Sequence, residues 1–197
     1  MTKSLAPLAL IGSLVLVLGG CTNGVFGFLS PSGELPAPIA ESAAPQFEQT
    51  FDADDVMFAQ MMIVHHEQAV EISDLAQANT SNPEILALAG AIGGTQQAEI
   101  NTMQSWLTAA GASDSHMHDM EMPGLADQMT MEDLAASTDA MFDALFLITM
   151  IQHHEGAIVM ANTVLASSSN DDVIALAQNV VETQTAEIAA MYTLLGP

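Results

Sequence analysis

The chain has almost no positive charge. Lys3 is its single basic residue, set against 24 Asp and Glu, and the formal charge is −23 with neutral histidines. A surface of that sign repels nucleic acid and anionic lipid headgroups and concentrates cations. With so few cationic partners, extended salt-bridge networks are excluded as a source of stability. Cys21 is the only cysteine, which excludes a disulfide framework. No Gly-x-Ser-x-Gly occurs, so a hydrolytic triad has no support. Strand periodicity is nearly absent along the whole chain.

Half of the 197 residues are apolar, enough for one ordinary domain with a sizeable core. Residues 1–20 have the form of a secretory signal: Lys3, then the apolar run SLAPLALIGSLVLVLGG, then small residues. The run is shorter than the ~20 apolar residues of a spanning helix. Leu18-Gly19-Gly20-Cys21 resembles a bacterial lipobox, in which cleavage precedes a lipidated cysteine. The expectation is a lipid anchor on Cys21, an extracytoplasmic location on a cell-envelope membrane, and a mature chain with no Lys or Arg. Residues 21–50 contain scattered Gly and Pro without periodicity and read as a flexible tether. The folded domain is expected over residues 51–197.

Within that domain the spacing predicts four long helices, over about 52–79, 82–110, 138–166 and 170–195. Asp52, Asp54 and Asp55 crowd the first start, Asn82-Pro83-Glu84 opens the second, and Asn170-Asp171-Asp172 caps the fourth. Gly111 is a natural stop for the second helix. Gly90, Gly93 and Gly94 in its middle predict a close helix approach or a kink. Thr130-Met131-Glu132-Asp133 resembles a capping box that opens a short extra helix.

An internal repeat explains the layout. MIVHHEQAVEIS begins at Met62 and MIQHHEGAIVMA at Met150, 88 residues later; the same offset carries TQQAEINTM, with Gln96, Glu99 and Met103, onto TQTAEIAAM, with Gln184, Glu187 and Met191. Repeats over about 52–111 and 138–197, joined by a Met/His-rich connection at 112–137, make two helical hairpins. Two such hairpins form an all-α four-helix bundle.

Four of the six histidines lie in the two His-His-Glu triplets: His65, His66, His153 and His154. Adjacent helical residues diverge by about 100° around the axis. One histidine of each pair is therefore expected to face inward and the other a groove or helix interface. Met61 and Met62 precede the first pair by one turn, and Met150 precedes the second. Imidazole suits copper, zinc, iron and nickel, whereas thioether sulfur selects Cu(I) or Ag(I). Glu67, Glu155, Glu99 and Glu187 are candidates either to ligate or to orient the rings, with Met61, Met103 and Met191 as further soft donors. The connection adds His116, Met117, His118, Met120 and Met122 within HMHDMEMPG, where an exposed loop has little use for methionine in packing. Met57, Met141 and Met160 read as core fillers.

Residues 122–161, MPGLADQMTMEDLAASTDAMFDALFLITMIQHHEGAIVMA, resemble the signature of the bacterial domain of unknown function 305. The pieces are the Met-Pro-Gly turn, the Phe-Asp-x-x-Phe-Leu run, Met-Ile-x-His-His-Glu-Gly-Ala and the following Met-Ala. The copy at 57–72 and both Gln-x-x-Glu-Ile-x-x-Met segments also fit. The resemblance covers about residues 52–195 and implies a ferritin-like four-helix bundle. It further implies copper, since the family includes CopM-like periplasmic copper-binding proteins linked to copper tolerance. By position it points to Met62, His65, His66, Met150, His153, His154 and the HMH loop. Leu125 stands where many members have a further methionine, which removes one soft donor from the loop.

The expected function is a non-catalytic, lipid-anchored copper-binding protein, holding Cu(I) and also Cu(II), with zinc or iron less suited. It would sequester metal or pass it to a delivery partner; a homo-oligomer stays open. A ferritin-like di-metal oxidoreductase is the first alternative. It needs Glu-x-x-His on two helices, and no Glu-x-x-His occurs. A structural or partner-binding lipoprotein, whose histidines are satisfied core groups, is the second.

Overall fold

The computed structural model describes residues 50–113 and 122–196. The expected signal, Cys21 and most of the tether lie outside them, as do His116, Met117, His118 and Met120. Among the described residues there are five helices and no strand: α1 (Ala53–Asn79), α2 (Pro83–Ala109), α3 (Gln128–Ala136), α4 (Asp139–Leu165) and α5 (Asp171–Leu195). The four long helices fall within a residue or two of the sequence expectation.

Their starts follow from local chemistry. The Asp52 carboxylate accepts from the backbone N–H groups of Asp54 and Asp55, while Asp55 reaches back to the Asp52 N–H, a reciprocal cap. Asn82 and Asn170 cap α2 and α5 from one side only, accepting from Glu84 and Asp172 at 3.1 and 3.0 Å. Ahead of each cap a hydroxyl closes the turn. The Asn82 N–H donates to Thr80 Oγ1 at 3.0 Å, and the Asn170 N–H to Ser168 Oγ at 3.1 Å. The repeat thus extends into the hairpin turns. The short helix starts earlier than Thr130, because the Asp127 carboxylate accepts the Thr130 N–H and caps α3 from three residues upstream. Only Gly93 among the three α2 glycines meets a neighbour: a Cβ there would lie 3.3 Å from Ser73 Cβ of α1. The helix runs on through all three without a break.

α1 packs on α2 and α4 packs on α5 to form the two hairpins, which join mainly along α1 and α4. α3 sits across α1 and α4, and the Asn79 amide at the end of α1 donates to the carbonyls of Leu134 and Ser137 to hold it there. α4 is long and apolar enough to cross a membrane, but 61% of its most apolar window is buried in the protein, as befits the core helix of a bundle.

The apolar core is divided in two. One cluster holds Phe58, Met62, Met103, Trp106, Met160 and Val180; the other holds Ile72, Ile92, Phe142, Phe146, Met150 and Met191. In every long helix the residues between the two clusters are polar: His65 and His66, Gln96 and Glu99, His153 and His154, Gln184 and Glu187. Seven of these eight are buried, at 8% exposure or less, and all four histidines are at 0%.

Candidate metal centre

Two apolar clusters separated by a polar layer is a costly way to build a bundle. Each buried polar atom left without a hydrogen bond costs about 1–3 kcal/mol. Both amide atoms of Gln96 and of Gln184 are buried with no hydrogen-bond partner, as is Nδ1 of all four histidines and Nε2 of His153. Buried polar groups are ordinarily satisfied, so these atoms are open to a partner that the bundle itself does not supply.

The histidines divide into an inner and an outer pair. The His65 and His153 rings, from α1 and α4, face each other with centroids 3.8 Å apart and planes at 43°. His66 and His154 turn to the interface within their own hairpins. There His66 Nε2 donates to Glu99 Oε2 and His154 Nε2 donates to Glu187 Oε2, each at 2.8 Å. One inward and one interfacial histidine per pair is the arrangement the helical rotation predicted, although both are fully buried.

Burial pushes the His65 ring down to about 3, reinforced by the neighbouring His66 ring, and burial likewise holds His153 well below the ordinary histidine value, with His65 next in effect. Both inner rings are therefore neutral at physiological pH. His65 Nε2 donates to the Pro123 carbonyl at 3.0 Å, which leaves its Nδ1 as a lone pair. In three of the four rings, then, Nε2 is tied to a carboxylate or carbonyl and Nδ1 is not. That is how metal-binding histidines are oriented, one nitrogen held and the other presented.

The Pro123 carbonyl reaches His65 because Met122-Pro123-Gly124 wedges against α4. A Cβ on Gly156 would sit 2.0 Å from Pro123 O and 2.8 Å from Gly124 Cα. Gly124 itself has φ +79, and a Cβ there would lie 2.5 Å from the Gln152 carbonyl oxygen. In the first repeat, Gln68 replaces Gly156; its side chain donates to the Ala126 carbonyl at 2.9 Å and accepts the Ala126 N–H at 2.8 Å. The two repeats differ here because one makes room for the turn and the other grips it.

Met62 and Met103 are fully buried in the first cluster, Met150 and Met191 in the second, so two thioethers belong to each side of the layer. Met122 is also buried, packed in the first cluster rather than exposed on a loop. Glu67 and Glu155 lie on the solvent face; with the two preceding residues turned inward, the helical rotation carries the third one out. The carboxylates that meet the histidines are Glu99 and Glu187. Met61 lines a surface cavity on α1. Met160 is in the core as expected, but Met57 and Met141 are 46% and 65% exposed, because the helical rotation that turns Phe58 and Phe142 into the core turns the residue before each outward. Sequence reasoning gave no role to Asn179, which donates to Glu99 Oε1 at 3.1 Å; its repeat position is Ala91, so only comparison of the two copies could have marked it.

Among the described residues, no group of three or more His, Cys, Asp or Glu converges as a ready metal cage. The residues that could hold an ion are two neutral imidazoles facing each other, with buried methionines in the clusters on either side of the layer. This set suits a soft ion of low coordination number better than zinc.

A helical bundle with a buried histidine layer is the class of protein these features define. The chain belongs to the DUF305 family (domain of unknown function), whose model matches residues 55–195. A DUF305 protein from Streptomyces coelicolor is 31% identical, with a TM-score of 0.69 over 73% of this chain and 92% of its own. A DUF305 fragment from Deinococcus radiodurans is 27% identical, with a TM-score of 0.69 over 75% and 98%. CopM in its Cu(II)-bound form is 27% identical, with a TM-score of 0.63 over 72% and 95%. CopM structures in Cu(I)- and Ag-bound forms align as well, at 28% and 26% identity. No curated protein matches the chain.

Proposed function

We propose that this protein is a non-catalytic copper-binding protein of the cell envelope, anchored by lipid on Cys21, that holds Cu(I) in the histidine layer of its bundle. The observation that carries the reading is the neutral His65–His153 pair, fully buried, with Nδ1 of both rings and Nε2 of His153 unpartnered. Neutral imidazole nitrogens need no proton displaced before they bind. His66 and His154, each held by a glutamate, would complete or support the set. Met62, Met103, Met150 and Met191 supply thioethers that favour Cu(I) over zinc. The acidic surface draws cations towards it. The likeness to CopM, described in copper- and silver-bound forms, supports the same metal class. An extracytoplasmic place accords with the signal-like N-terminus and with the Streptomyces coelicolor relative, described as secreted.

The test is competition with a chromogenic Cu(I) chelator, using the protein and a variant with His65, His66, His153 and His154 all changed to Ala. Tight binding that the variant loses, with helicity kept, is the expected result. Binding kept by the variant would move the site to the His116–His118 loop. No binding by the parent would leave the histidines as core groups.

A further inference from the structure

All four histidines of the layer are buried, so an ion must first be taken up elsewhere. A surface cavity of about 290 Å³ lies between α1 and α4 and is lined by Met57, Met61 and Met160, with Asp54 in the same wall. Met57 is 46% exposed there and gains little from burial. Packing explains Met160, which belongs to the core cluster, and the buried part of Met61, which packs against that cluster. It does not explain why three thioethers share one cavity.

The repeat supplies a control. Met62 and Met103 recur as Met150 and Met191, but Met57, Met61 and Met160 correspond to Leu145, Thr149 and Ile72. The corresponding positions of the other repeat carry no sulfur. The cavity also abuts the histidine layer. Pro123 forms part of its wall, and the Pro123 carbonyl accepts from His65. Met61 lies one helical turn before His65.

We propose that Met57, Met61 and Met160 form a second, solvent-facing site for a soft monovalent cation, Cu(I) or Ag(I), which captures the ion outside the histidine layer. The site rests on the copper reading for its ligand and goes beyond it in place and in role. Neutral thioethers hold a soft monovalent ion and discriminate against hard divalent ones. Asp54 adds the single charge that balances it.

The test is an Ag(I) titration of the full-length chain in detergent, with ¹³C-labelled methionine methyls and ¹⁵N-labelled histidines followed by NMR. It is run beside Met57→Leu/Met61→Leu/Met160→Leu, which keeps the side-chain volumes and removes the sulfur. The methyls of Met57, Met61 and Met160 are expected to move within the first equivalent. The triple variant should lose one equivalent of Ag(I) and fill its histidine layer at least tenfold more slowly. If the three methyls stay still while the imidazoles shift, the capture site is wrong and the copper reading stands. If the methyls shift and the imidazoles do not, the capture site stands and the histidine reading falls. If neither moves, both fall.

Discussion

Gly156→Ala should destabilise this protein, against the rule for helices. In an exposed helix interior, replacing Gly by Ala stabilises by about 1 kcal/mol. At Gly156 the new Cβ would fall 2.0 Å from the Pro123 oxygen and 2.4 Å from its carbonyl carbon, both backbone atoms. No side-chain rotation relieves that contact, so the Met-Pro-Gly turn must move. Just beyond the turn, Ala126 is anchored by two hydrogen bonds to Gln68. Overpacking costs about 1–3 kcal/mol. Losing the Pro123 carbonyl would strip His65 of its only hydrogen bond and add about 1–3 kcal/mol. Set against the helical gain, the net loss is roughly 1–5 kcal/mol. Urea unfolding followed by circular dichroism measures it, with Gly90→Ala and Gly94→Ala as controls, since a Cβ at either meets nothing within 4 Å. The controls should gain stability while Gly156→Ala loses it. A Gly156→Ala protein as stable as its controls would refute the packed turn and the hydrogen bond to His65.

Stability should also depend on acid through the inner histidines. With the folded His65 at about 3 and an ordinary value of 6.5 unfolded, the unfolded state binds the extra proton between those values. Stability from this ring is therefore complete above about pH 6.5 and is lost as pH falls towards 3, by roughly 3–5 kcal/mol. Urea midpoints at stepped pH should flatten over that range in His65→Gln, and an unchanged slope would contradict the burial of a neutral ring. Glu99→Gln should cost more than Glu187→Gln, about 2 against about 1 kcal/mol, because Glu99 holds both His66 and Asn179; thermal unfolding compares them, and equal losses would count against the Asn179 contact. Asp52→Ala removes the reciprocal cap of α1 and should cost about 1 kcal/mol, read as a lower melting temperature with faster amide exchange in the first turn.

Much of the architecture is written locally. Caps at Asp52, Asn82 and Asn170 and the stop at Gly111 mark the helices because each satisfies backbone groups within a few residues. The recurrence of His-His-Glu and Gln-x-x-Glu-Ile-x-x-Met at one offset then fixes two hairpins. The histidine layer was legible for the same reason, since rotation about a helix decides which neighbours face inward. That same rotation sends Glu67 and Glu155 to solvent, so the third residue of each triplet is less telling than the first two. What could not be read is long-range. Nothing near Met122 says that it packs in the core, nor near Pro123 that its carbonyl meets His65. The pairing of Gly156 with Gln68 at equal repeat positions hints that one copy makes room for something, without saying what fills it. Which carboxylate meets which histidine also depends on how the helices face each other. Glu99 and Glu187 were equal candidates with Glu67 and Glu155 until the hairpins closed.

In His65, His66 and His154 the protein holds Nε2 and leaves Nδ1 for a metal, whereas neither nitrogen of His153 has a partner. The most direct measurement is ¹⁵N NMR of the histidine rings with and without Cu(I), which resolves the two nitrogens. The account predicts that Nδ1 of His65 and at least one nitrogen of His153 shift on addition of Cu(I), while the His66 and His154 Nε2 protons persist at Glu99 and Glu187. Shifts confined to His116 and His118, with the four bundle histidines unchanged at saturation, would contradict it.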